Sequence, residues 1–157
     1  MAVHTFSPIT NDQKLQEALE YIAEHSVLLA QKVLGRNLAI DTICFFSHSP
    51  EECAFLEKAV RPRGPESALS HGPTLYVDSD FMVKGQHISI FGVRRPDPTR
   101  PQVGYGDYPV ADYVKLLEAQ KDNPHVKEII SGRGKSLIEL RHPEFDVLGF
   151  VVDQSDH

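Results

Sequence analysis

Between Arg94 and Gly106 the chain changes character, and this break limits the fold more than any other feature. Pro96, Pro98 and Pro101 alternate with Asp, Thr and Arg, and Gly104 and Gly106 bracket Tyr105. Proline has no amide donor for a sheet ladder and keeps the preceding residue extended, so the stretch reads as a connector. The patterns on its two sides follow the same order. Upstream, Ala39–Phe46 is dominated by aliphatic, β-branched and aromatic residues and reads as a strand. Ser49-Pro50-Glu51-Glu52 then opens a helix, with Ser49 as cap and Pro50 in the first turn, that stops near Pro62. Strands are predicted around Glu66–Ser70 and Thr74–Asp80, turned by His71-Gly72-Pro73, and from Gln86 to Val93 after Lys84-Gly85. Downstream come a strand at Asp107–Ala111, a helix from Asp112 to about Lys121, and strands at Val126–Ile130, Ser136–His142 and Phe145–Val152. Each side is one strand, one helix and three strands.

A longer helix precedes the first half. Thr10 is its predicted cap, with Gln13 at the capping-box position. Leu15, Leu19, Ile22, Leu29 and Val33 share one helical face, and Gly35 ends the pattern in the left-handed position that favours glycine. The expected division is an N-terminal helical segment, 1–38, packed on a domain of residues 39–157 whose halves run from about 39 to 93 and 107 to 152. A chain of 157 residues fits one domain, and at that size roughly 68–70% of the unfolded surface is buried without a covalent staple.

The charge balance excludes some classes of partner. A net charge of −6 argues against a general nucleic-acid binder, which needs a concentrated basic surface. Arg94-Arg95 with Arg100 is the nearest basic feature, and it is small. No apolar run approaches the ~20 residues of a membrane helix, and the N-terminus lacks a secretory pattern. Cys44 and Cys53 read as two buried thiols in a reduced compartment, and the expected location is the cytoplasm. The eight histidines are scattered, with no paired metal-ligand spacing. Gly134-Lys135-Ser136 lacks the upstream glycine and following helix of a phosphate loop.

Two short echoes support duplication. Asp41-Thr42-Ile43 and Asp107-Tyr108-Pro109 each open a half, and Phe91-Gly92-Val93-Arg94-Arg95-Pro96 matches the frame of Ile138-Glu139-Leu140-Arg141-His142-Pro143. Two consecutive β-α-β-β-β modules closing on Ile138-Glu139-Leu140 and Pro143 resemble the vicinal oxygen chelate superfamily, which includes glyoxalases, extradiol dioxygenases and YecM-like proteins. The resemblance covers Ala39 to Val152. It implies an α+β fold of paired β-α-β-β-β modules forming curved sheets around a cleft, with the N-terminal helix as an addition. It also implies a divalent metal held by the first and last strands of each half. The matching positions carry Thr42, Gly92, Tyr108 and Glu139, of which only Glu139 is an apt ligand. The inherited metal site therefore reads as lost, with no cofactor expected. Modules in the resembling folds often pair across chains, which leaves a homodimer open.

Strand alternation puts Leu137, Glu139 and Arg141 on one face. Glu139 is the candidate acid–base group of a cleft, where apolar surroundings raise a carboxyl pKa, or it forms a surface pair with Arg141. His87 is the second catalytic candidate, as a proton carrier or substitute ligand, against a solvated histidine at a strand start. Thr42, Tyr76, Tyr108 and Arg141 are candidates to orient a ligand, or to pack. The expected function is a small-molecule binding protein of glyoxalase-like fold with a degenerate metal site. The alternatives are a metal-dependent or acid–base lyase, isomerase or dioxygenase-type enzyme, and a protein-interaction module on the Pro-rich connector.

Overall fold

Apolar residues spaced by three and four place Leu15, Ala18, Leu19, Ile22, Ala23, Leu29, Ala30 and Val33 on one buried stripe of a 23-residue helix, α1, Asp12–Leu34. The structure, a computed structural model, describes residues 7–60, 66–67, 74–76, 82–97, 99–131 and 134–156. The cap of α1 is Asn11 rather than the expected Thr10: the Lys14 backbone N–H donates to Asn11 Oδ1 at 2.8 Å, and asparagine satisfies this orphan donor at least as well as threonine. Gly35 ends the helix at φ 69° with its N–H on Gln31 O.

The strands are β1 Thr42–Phe46, β2 Glu66–Ser67, β3 Thr74–Tyr76, β4 Met82–Val83, β5 Gln86–His87, β6 Ile90–Arg94, β7 Gly104–Val110, β8 Val126–Ile130, β9 Ser136–Leu140 and β10 Val147–Asp153. Helix α2, Pro50–Val60, follows β1, and α3, Tyr113–Ala119, follows β7. Eight strands form one mixed sheet in the order β2-β3-β6-β1-β7-β10-β9-β8, and β4 and β5 form a separate hairpin. The sheet is curved and does not close.

The duplication is visible in the topology. In the first module β1 runs parallel to β6, which is antiparallel to β3, itself antiparallel to β2. In the second, β7 runs parallel to β10, β10 antiparallel to β9, and β9 antiparallel to β8. The modules meet along the antiparallel β1–β7 seam, Thr42 opposite Asp107 and Phe45 opposite Gly104. This order corrects one sequence echo. The counterpart of β6 is β10, so Glu139, on β9, sits on a penultimate strand and not on the last. Pro96 and Pro143 both follow the end of a strand, but the strands are not equivalent.

The span expected as one strand from Gln86 to Val93 is divided. Gln86 and His87 belong to the β4–β5 hairpin, turned at Lys84 and Gly85 with φ of 49° and 79°. Ser89 and Ile90 then both donate their N–H to Asp41 O, at 2.9 and 3.2 Å, which breaks the ladder before β6.

The registers sort the side chains by face. Ile43, Phe45, Phe91, Val93, Tyr108, Val110, Ile138, Leu140, Val147 and Val151 join one hydrophobic core with residues of α1, α2 and α3. All three helices therefore cover the same face. The other face carries a smaller apolar cluster, Phe46, Leu148 and Phe150, with Tyr105, Ile129 and Leu137 against it. Gly106 and Gly149 allow close packing on the helical side. A Cβ at Gly106 would lie 2.8 Å from Ser26 Oγ on α1, and one at Gly149 would lie 2.5 Å from the Tyr108 ring.

Candidate functional site

The helix-free face is built from alternate residues of β6, β1, β7, β10 and β9. Cross-strand pairing sets Arg94 beside Phe46, Cys44 beside Tyr105, Leu148 beside Tyr105, Phe150 beside Glu139, and Lys127 beside Glu139. The rings form a row: Phe46 and Tyr105 have centroids 5.5 Å apart, and Tyr105 and Phe150 meet edge-on at 4.9 Å.

Charge gathers on this row. The Arg94 guanidinium lies 5.9 Å from the Phe46 centroid and 5.5 Å from that of Tyr105. Arg100, from the connector, lies 5.7 Å from the Phe46 centroid. Glu139 is only 8% exposed; Arg100 Nη1 stands 3.7 Å and Arg141 Nη2 3.5 Å from its carboxylate oxygens. These are ion-pair distances, too long for well-formed charge-assisted hydrogen bonds. Burial pushes the Cys44 thiol up to about 12, and Tyr105 and Arg94 offset only part of it. Burial first, with the neighbouring Cys44 and Asp107, also lifts the Tyr105 phenol well above its ordinary value. Both stay protonated at neutral pH, so the charges beside the rings are those of arginines and carboxylates.

The connector that carries Arg100 is anchored by a buried polar cluster. Glu52, fully buried, accepts from Ser7 Oγ at 2.9 Å, from the Ile9 N–H at 2.5 Å and from the His48 N–H at 2.7 Å. His48 Nδ1 lies 3.2 Å from Glu52 Oε1, and its Nε2 lies 3.0 Å from the carbonyl oxygens of both Arg100 and Gln102. The bond to Glu52 raises the His48 pKa above its ordinary value against the opposing effect of burial. Burial pushes the Glu52 pKa upward, but the bonds from His48, Ile9 and Ser7 outweigh it and the net shift is down.

The sequence candidates separate accordingly. Thr42, Glu139 and Arg141 belong to the helix-free side: Thr42 pairs with Asp107 on the parity of Cys44 and Phe46 and donates to Asp41 Oδ1 at 2.9 Å. The structure places Tyr108 elsewhere. It is buried beneath α1 and donates to Ser26 O at 2.5 Å. His87 lies on the exposed edge of the β4–β5 hairpin, next to Ile88 of the helical-side core, and not on the main sheet with Glu139. The backbone of Tyr76 pairs with Ile90, and its side chain falls outside the described residues. Sequence reasoning missed Phe46, Tyr105, Phe150, Arg94 and Arg100. Parity from Thr42 points to Phe46. Tyr105 was hidden because β7 begins at Gly104, inside the stretch read as connector.

The divalent metal that the resemblance implies does not fit these residues. Tyr108 is on the opposite face, Gly92 has no side chain, and the Glu139 carboxylate is shared by two guanidinium groups. Among the described residues no group of three or more His, Cys, Asp or Glu is arranged to hold a metal ion. Among them, too, no helix is long and apolar enough to cross a membrane.

Fold and site together define a sheet protein of paired β-α-β-β-β modules with one face covered by helices and an arginine-bearing aromatic row on the other. A solved structure described as "Structural Genomics, Protein EC4020" is similar to this chain, with a TM-score of 0.57 and 13% identity over 99% of this chain and 96% of that one. At that identity the likeness is one of fold. No family model matches the chain, and no curated protein matches it.

Proposed function

We propose that this chain is a small-molecule binding protein that takes an organic ligand on the helix-free face of its sheet. The observation that carries the reading is Glu139, a carboxylate 8% exposed yet bound by no close hydrogen bond among the described residues, set between Arg100 and Arg141 at one end of the Phe46–Tyr105–Phe150 row. A carboxylate kept from water at ion-pair distance only is costly to a fold, and it retains acceptor capacity for donors of a ligand. Aromatic surface with a few convergent polar groups is the usual make-up of a ligand site. The resemblance to the vicinal oxygen chelate fold also supports a ligand held on a sheet face, although Glu139 stands on β9 and not on the last strand, where that fold places its metal-binding acid.

Thermal-shift screening against a metabolite panel, followed by calorimetry on hits, tests the reading. A ligand that perturbs the ring resonances of Tyr105 and Phe150 in NMR spectra and binds at least tenfold more weakly to Glu139→Gln is the expected result. A panel without any hit would favour a protein-interaction role for the connector. A stoichiometric divalent metal in the purified protein, lost in Glu139→Ala, would replace binding with metal-dependent catalysis.

A further inference from the structure

The charges on the helix-free face are unbalanced, and the imbalance specifies a ligand class. Arg94, Arg100 and Arg141 gather around the aromatic row, and Lys127 stands opposite Glu139 on β8. The acids facing them are Glu139, Asp107 on β7 and, at the exposed rim of the connector, Asp97. Glu139 is shared between Arg100 and Arg141. Among the described residues Arg94 makes no salt bridge; its guanidinium lies against the two rings, and Asp97 feels its charge only at longer range. A ring contact draws on the cation's charge but not on its N–H donors. The fork that binds carboxylate or phosphate in two parallel bonds is thus left unused at the edge of an apolar surface.

Resting on the binding role proposed above, we infer that the ligand is a small organic anion, a carboxylate or phosphate ester, whose acidic group is bound by the Arg94 guanidinium, with Arg100 beside it on the same ring. The Phe46 and Tyr105 rings hold Arg94 in place before the ligand arrives, so little side-chain freedom is lost on binding. A net charge of −6 repels a long polyanion, while a local cluster of guanidinium groups still attracts a small anion within a Debye length. This combination favours a metabolite-sized acid over a nucleic acid.

Calorimetry and NMR titration of the full chain with benzoate, succinate, phenyl phosphate and inorganic phosphate test the inference, with benzamide as the neutral counterpart of benzoate and a single-stranded oligonucleotide as the polyanion. The expected result is binding of at least one anion at the Tyr105 and Phe46 resonances, weakened tenfold or more in Arg94→Ala and less in Arg94→Lys, and falling with added salt. The carboxylate and phosphate arms show which acid is preferred. Circular dichroism and a thermal melt establish that each variant is folded. Benzamide binding as well as benzoate, or anion affinity unchanged in Arg94→Ala, overturns the anion inference and leaves the binding face standing. Absence of any probe from those rings overturns both. Tighter binding of the oligonucleotide than of every small anion overturns the restriction to small acids.

Discussion

Tyr108 shows how one side chain can look like a ligand contact in sequence and serve the core in structure. Its hydroxyl donates to Ser26 O on α1 and its ring lies over Gly149. Ser26 itself is buried with its own hydroxyl unpartnered among the described residues. A buried unsatisfied hydroxyl is a liability, and alanine is the better helix former, so Ser26→Ala is expected to raise stability by about 0.5–1 kcal/mol. Gly149→Ala is expected to lower it by about 2 kcal/mol, because the added methyl meets a ring with no room to move. Urea melts of the two variants check both signs, and destabilisation by Ser26→Ala would mean that its hydroxyl has a partner. Parity along β7 explains why the sequence misled. The echo of Asp41-Thr42-Ile43 in Asp107-Tyr108-Pro109 makes Tyr108 the counterpart of Thr42, whereas the seam pairs Thr42 with Asp107 and puts Tyr105 on that side. The side on which Glu139 lies was legible from strand parity, which sets Leu137 and Glu139 opposite Ile138 and Leu140 of the core.

At the scale of elements, the start of α2 and the connector are joined by His48 and Glu52. Three groups converge on Glu52: the Ser7 hydroxyl and Ile9 amide from the segment before α1, and His48 from the loop after β1. Two connector carbonyls, Arg100 and Gln102, face the other nitrogen of His48. The His48 pKa is raised from 6.5, so its contribution is complete below that value and is lost as pH climbs through the raised one. The Glu52 pKa is lowered from 4.5, so its contribution is complete above that value and is lost as pH falls through the depressed one. The charged pair is therefore fully formed between 4.5 and 6.5. Removing one partner of a buried pair costs about 3 kcal/mol, and Glu52→Gln is expected to lose that much near pH 5.5. His48→Gln should show a penalty that shrinks as pH rises from 5.5 through the raised His48 pKa, because the wild type then loses the imidazolium. A penalty independent of pH would show that His48 acts through its neutral form. Ser49 and Pro50 announced α2 in the sequence, and Glu52 N does donate to Ser49 Oγ. Only His48, four positions away, is a local partner of Glu52; Ser7 and Ile9 lie more than forty positions upstream, and the carbonyls that face His48 lie more than fifty positions beyond that histidine, so nothing local announced that Glu52 would be buried.

At the scale of the whole molecule, the order of elements was legible and their register was not. Repetition of strand, helix and three strands survives in sequence because each element carries its own periodicity, which is local. The seam between modules depends on β1 finding β7 across more than fifty residues, and on α1 closing over both. Helix α1 packs on β1 of the first module and on β7, β9 and β10 of the second. Ile22 abuts Gly104 and Ser26 abuts Gly106 along that seam. Neither module can therefore release α1 without exposing core that belongs to the other, and the two should unfold as one unit. The chain has no tryptophan, and Tyr105, Tyr108 and Tyr113 lie on β7 and α3, so tyrosine fluorescence reports mainly on the second module. Helical circular dichroism is weighted towards α1 and α2, the longer helices. Urea transitions followed by the two signals are expected to coincide. Leu56→Ala, a fully buried change in α2 of the first module, should move both midpoints together, by the equivalent of about 2–4 kcal/mol. If that substitution shifted the dichroism and left the fluorescence transition in place, the modules would be separate folding units, and the β1–β7 seam would be a contact between finished halves.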